Sequence, residues 1–157
     1  MRGPEGRTAR GGCVCGAVEI EIGVPARWAW HDHARRSRHA QGAAYVTYVG
    51  CWRSRFAVVG GEEHLTRYAD EDEGSVRSFC ARCGTPIAYE RARSPQMVNV
   101  PRALFAERTG REPRYHMNMP EAAEWTWRGE ALKPLKGYPG VLWAPPRRKK
   151  KPPEPMF

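Results

Sequence analysis

Four cysteines carry the chemistry written most plainly in this chain. In Cys80-Ala81-Arg82-Cys83 two residues separate the thiols, which is enough chain for a tight turn that brings both thiolates to one tetrahedral ion at about 2.3 Å. Gly84 follows and can take the positive φ that closes such a turn. In Cys13-Val14-Cys15 the spacing is i, i+2, which on an extended segment places both side chains on one face, and Gly16 follows. Two close pairs, each followed by glycine, read together as one four-thiolate structural zinc site. The plainer alternatives are two buried thiol pairs or two disulfides. No hydrophobic signal region is visible, so a reducing cytosol is expected, and there zinc is the better reading. A closed four-thiolate site offers no coordination position to a substrate, so this metal is expected to hold the fold and leave any chemistry to other residues.

The other reactive types concentrate between Ala26 and Gly42, where aromatics, histidines and arginines mix without a clean period. His31, Asp32, His33 and His39 could form a second metal site of nitrogen and oxygen ligands, since His31 and His33 share a face if extended. Solvated histidines among arginines are the bland reading. Arg35, Arg36 and Arg38 form a basic patch suited to carboxylates, which arginine binds bidentately, or simply a solvated loop. Cys51 is read as a buried, inert thiol, and Trp28 and Trp30 as core packing.

Short strands must position these residues. Ala17 to Ile22 alternates apolar and polar at period two and runs directly out of the first cysteine pair. Ala43 to Val49 and Phe56 to Val59 have strand composition and are expected to be antiparallel neighbours. His64 to Tyr68, Ser75 to Phe79, Thr85 to Glu90 and Met97 to Val100 complete the series, with an acidic turn at Asp70 to Gly74 and hardly a helical period anywhere. A mainly β single domain is expected over residues 11–143, a length that supports a real but modest core. Residues 1–10 are Arg- and Gly-rich and are read as a disordered leader; 144–157, rich in Pro, Lys and Arg, as a disordered tail. Most of the net charge of +9 sits in these two ends, which argues against a basic face built into the fold. A nucleic-acid contact is weighed only for the tail. No run approaches membrane-spanning length, so no membrane partner is expected.

With the residues Gly12-Cys13-Val14-Cys15-Gly16-Ala17-Val18, Gly42-Ala43-Ala44-Tyr45-Val46, Phe56 with Gly60, and Ser78-Phe79-Cys80-Ala81-Arg82-Cys83-Gly84 in view, the chain resembles the glutathione-dependent formaldehyde-activating enzyme (GFA) family, which includes centromere protein V. The likeness runs roughly from Gly11 to Gly137, with His116 and the Trp125 region similar to the family's looser final segment. It implies a β-tent domain with two zincs, of which Cys13, Cys15, Cys80 and Cys83 match the structural one. The catalytic zinc of the family is held by a Cys-His-Cys-x-x-Cys motif, and the matching stretch here is Asp32-His33-Ala34-Arg35-Arg36-Ser37. Spacing and histidine are kept; the three thiolates are replaced by Asp32, Ala34 and Ser37. The implied reaction is carbon–sulfur bond chemistry that joins formaldehyde to glutathione or cleaves the adduct. With those ligands replaced, the lyase activity is expected to be lost or altered. The competing expectation is a non-catalytic, zinc-stabilised binding module for a small thiol such as glutathione, or for a protein partner.

Overall fold

The computed structural model describes residues 6–126 and 132–144. The start of the expected leader (1–5), Trp127, and nearly all of the basic tail (145–157) lie outside the described residues. Twelve strands and one α-helix follow in order: β1 (Thr8–Gly12), β2 (Glu19–Gly23), β3 (Trp28–Asp32), α1 (Arg35–Gln41), β4 (Val46–Trp52), β5 (Phe56–Gly60), β6 (Leu65–Asp70), β7 (Ser75–Cys80), β8 (Pro86–Arg91), β9 (Met97–Pro101), β10 (Tyr115–Met117), β11 (Lys133–Pro134) and β12 (Leu142–Trp143). They form a three-stranded sheet, β1-β2-β5, and a nine-stranded sheet, β11-β12-β10-β3-β4-β9-β8-β7-β6. This is the mainly β domain expected from the run of short strands.

The core lies between the two sheets. Alternation in β2 sends Ile20 and Ile22 inward, both fully buried, where they meet Ala29, Val49, Val98, Val100 and Ile87 of the large sheet. The opposite face of the large sheet carries a second, aromatic cluster of Trp30, Tyr48 and Tyr89, with Tyr115 and Met117 against it. Trp30 and Tyr48 are directly paired in register and their rings lie 5.5 Å apart.

Three expectations change. Thr8–Arg10 do not belong to a leader: they are strand, because β1 pairs with β2 over its whole length and buries Ala9. β5 is not the neighbour of β4. Both edges of β4 are taken, by β3 and β9, and the 3-10 turn Arg53–Arg55 carries the chain across to β2 in the other sheet. The third is α1, seven residues of which Ser37 alone is buried. A helix without an apolar stripe gives no period to read. It is tied down by polar contacts instead, the Arg38 side chain donating to the carbonyls of His33 at 3.1 Å and Glu121 at 2.9 Å.

Candidate functional site

The cysteine pairs converge where the two sheets meet. Cys13 follows β1 of the small sheet, and Cys80 ends β7 of the large one. All four Sγ atoms lie within 4.8 Å of one another, and among the described residues this is the group of Cys, His, Asp and Glu side chains that could hold a metal ion. Cys13 and Cys15 sit 3.5 Å apart, and Cys15 and Cys80 3.8 Å. The first pair is not on an extended segment, as its spacing suggested; it folds in a turn closed by the Gly16 N–H on the Cys13 carbonyl at 3.0 Å. The knuckle at Cys80 closes likewise, with the Gly84 N–H on the Cys80 carbonyl at 2.8 Å. Gly16 and Gly84 stand at φ +74° and +73°, the left-handed region that disfavours other residues.

Around the sulfurs the backbone supplies donors. The Val18 N–H donates to Cys13 Sγ at 3.2 Å. Cys83 Sγ lies 3.1 Å from the Thr85 hydroxyl, which also accepts from the Val14 N–H and so ties the two knuckles together. Hydrogen bonds from Thr85, side chain first and then backbone, bring the Cys83 thiol down to about 5. Cys15 goes up to about 11: its Ala17 backbone bond favours the thiolate, but desolvation and the neighbouring sulfurs outweigh it. Four thiols this close cannot all ionise side by side; a divalent cation removes that repulsion, and this donor set fits zinc.

The stretch matched to the second metal motif folds quite differently. Asp32 ends β3, Ala34 precedes α1, and Ser37 lies one turn into the helix. Asp32 and Ser37 are 5 % and 1 % exposed. The Ser37 hydroxyl donates to Asp32 Oδ2 at 2.6 Å, while Asn118 Nδ2 and the Ala34 N–H donate to Asp32 Oδ1 at 2.7 and 3.2 Å. A carboxylate with three donors satisfies itself without a cation. Ala34 has no ligand atom, so a thiolate-held catalytic zinc does not fit here.

Nor do the four residues weighed as nitrogen and oxygen ligands come together. His31 Nδ1 meets the Thr47 hydroxyl at 2.9 Å, His33 Nε2 meets His116 Nδ1 at 2.9 Å, and His39 lines a separate cavity on the far side of α1. The rings of His31, His33 and His116 pack with Tyr45 instead, His31 and His116 at 4.7 Å. Burial first, then the charges of His116 and His33, push the His31 imidazole down to about 4.

Two cavities flank α1. One, of about 380 Å³, lies over the acid cluster and is lined by Asp32, Ala34, Arg35, Arg93, Asn118 and Glu121 among others. The other, of about 580 Å³, opens between α1 and β6–β8 past Arg36, His39 and Arg77. Of the three arginines expected to offer carboxylate contacts, Arg38 is spent on the backbone and Arg36 pairs with Asp70. Arg35 has no ion pair among the described residues and lines both cavities. Cys51 is buried, 3 % exposed, and burial pushes its thiol up to about 12. Trp30 is core as expected, but Trp28 is 48 % exposed.

Asn118 and Glu121 were invisible to sequence reasoning. They reach Asp32 and the Arg35 N–H across 86 residues, and nothing in Asn118-Met119-Pro120-Glu121 advertises that contact. The only local hint is Asn118 itself, whose φ of 57° suits asparagine better than most residues.

Residues 8–121 match the family described as Glutathione-dependent formaldehyde-activating enzyme. Among solved structures, the chain is similar to a Rhodobacter sphaeroides protein, a Northeast Structural Genomics target, at 28 % identity and a TM-score of 0.55. The alignment covers 63 % of this chain and 89 % of that one.

Proposed function

The chain belongs to the glutathione-dependent formaldehyde-activating enzyme family, and on that premise we propose that it is a non-catalytic member, a binding module stabilised by one zinc. Cys13, Cys15, Cys80 and Cys83 hold the zinc, which joins the two sheets and has no open position for a substrate. A four-thiolate site of this kind suits a reducing compartment such as the cytoplasm. The observation that carries the loss of lyase activity is the 2.6 Å hydrogen bond from Ser37 to Asp32, two positions that match catalytic thiolates in the family. Without a metal there, nothing in this cluster binds a thiolate or polarises a carbonyl.

The ligand is a small peptide-like thiol of the glutathione kind. Support comes from the cavity over Asp32, which mixes the cations Arg35 and Arg93 with the anions Glu121 and Asp72. A zwitterion carrying two carboxylates and an ammonium finds both signs of partner on such walls. Metal analysis of purified protein, together with calorimetric titration of glutathione and an assay on its formaldehyde adduct, tests the proposal. One zinc per chain, saturable binding and no turnover are expected. Two zincs per chain, or turnover above background, would overturn it.

A further inference from the structure

The aromatic face of the large sheet carries a third cavity, of about 590 Å³, which the cysteine cluster does not line and which shares only Trp30, Arg91 and Met117 with the cavity over Asp32. Strand register builds it. Trp28 lies opposite Gly50, and Gly50 opposite Asn99, so the row crossing β3, β4 and β9 dips at a glycine between an indole and an amide. A Cβ on Gly50 would already stand 3.2 Å from both Asn99 Oδ1 and Met97 Cε, so only glycine keeps this floor low without pushing its neighbours. Trp30 lies beside it, and Trp52 forms a wall with the Arg27 guanidinium 5.7 Å from its ring centroid.

Two features of the lining select a ligand. Trp28 and Trp52 remain 48 % and 41 % exposed, flat apolar surfaces that gain by being covered with another ring. The charged residues at the cavity are Arg27 and Arg91, with no Asp or Glu among the described lining residues. Arg91 Nε is buried and has no hydrogen-bond partner among the described residues, so this donor is desolvated and unsatisfied. Stacking surfaces together with two arginines that no lining carboxylate opposes call for a flat ring bearing a negative charge.

We propose that this cavity is a binding site for a small planar aromatic anion, one or two fused rings carrying a carboxylate or sulfonate. The ring stacks between the indoles of Trp28 and Trp52, and the anion is taken by Arg91 with Arg27. The site's stacking residues and Arg27 line no part of the cavity over Asp32, whereas Arg91 lines both, so Trp52→Ala and Arg27→Gln are the variants that separate this site from glutathione binding.

The test is titration of the full zinc-loaded chain with 2-naphthoate, followed by calorimetry and tryptophan fluorescence. Two companion probes are 2-naphthalenemethanol, which keeps the ring and lacks the charge, and cyclohexanecarboxylate, which does the reverse. One saturable site for 2-naphthoate is expected, with each companion at least about tenfold weaker. Arg91→Gln should weaken 2-naphthoate about tenfold while leaving zinc content at the wild-type value. If Arg91→Gln does not fold, Arg27→Gln and Trp52→Ala carry the same expectation from outside the sheet interior. No saturable binding up to about 1 mM, equal binding of either companion, or unchanged affinity in a folded variant would each overturn the proposal.

Discussion

Replacing Ser37 by alanine isolates the bond on which the reading of the second site turns. The hydroxyl is 1 % exposed and donates at 2.6 Å to a carboxylate that is itself 5 % exposed, so the bond is largely shielded from bulk solvent. Hydrogen bonds to charged groups contribute about 1.5–3 kcal/mol, and burial of this one argues for the upper half of that range. Asp32 would keep its bonds from Asn118 and the Ala34 N–H, which limits the loss to one partner rather than a stranded charge. For a chain of 157 residues, about 2–4 °C of melting temperature accompanies each kcal/mol, so Ser37→Ala should melt about 4–12 °C lower. Thermal unfolding followed by circular dichroism reads this shift, and metal analysis of the same sample should still find one zinc. An unchanged melting temperature would refute the account of Asp32 as a self-satisfied cluster. Loss of zinc on Ser37→Ala would show that a metal, not a hydrogen bond, organises these residues.

The same cluster sets an engineering test: the triple variant Asp32→Cys, Ala34→Cys, Ser37→Cys should raise zinc from one to two per chain, measured by plasma mass spectrometry. Cys80→Ala should release the structural zinc and unfold the protein at ambient temperature, because structural zinc supplies about 10–16 kcal/mol in small metal domains against a total stability of about 5–15; a cooperative melt in the metal-free variant would contradict this. Gly61→Ala should cost more than about 3 kcal/mol in urea unfolding, since its φ of +70° is left-handed and a Cβ would stand 1.6 Å from the Ala17 carbonyl oxygen. His31 has a folded pKa near 4 against an ordinary value of 6.5, so between these pH values the unfolded chain binds the extra proton and stability rises with pH. Stability lost on acidification through that window should be partly restored in His31→Gln, compared by urea melts at pH 4.5 and 7; an identical pH slope in the variant would count against the buried neutral imidazole.

What could be seen in the sequence was local. The cysteine pairs declared themselves by spacing and trailing glycines, and β2 by the alternation of Ile20 and Ile22, because each signal is complete within six residues. The rest depended on distant chain. α1 is held by Glu121 and His33 rather than by an apolar face, the partner of β5 follows from which strand edges remain open, and Asp32 is satisfied by Asn118. Trp28 and Trp30 are two residues apart with the same composition around them. Only the neighbouring strands decide that one is covered and the other is left at a cavity rim.

The cysteine cluster also has a consequence in time. Cys15 and Cys80 meet across 65 residues of chain, with β2 to β7 and the helix between them. A ribosome delivering about 5–20 residues per second needs on the order of 3–13 s to add that span. Throughout that interval the first pair is half a site, offering two thiolates where a closed zinc shell needs four. A four-sulfur metal site therefore cannot close until β3, β4, β6 and β7, four of the nine described strands of the large sheet, have been synthesised. A chain broken off before Cys83 never completes the shell, so a metal held at this site would mark chains that have passed that residue.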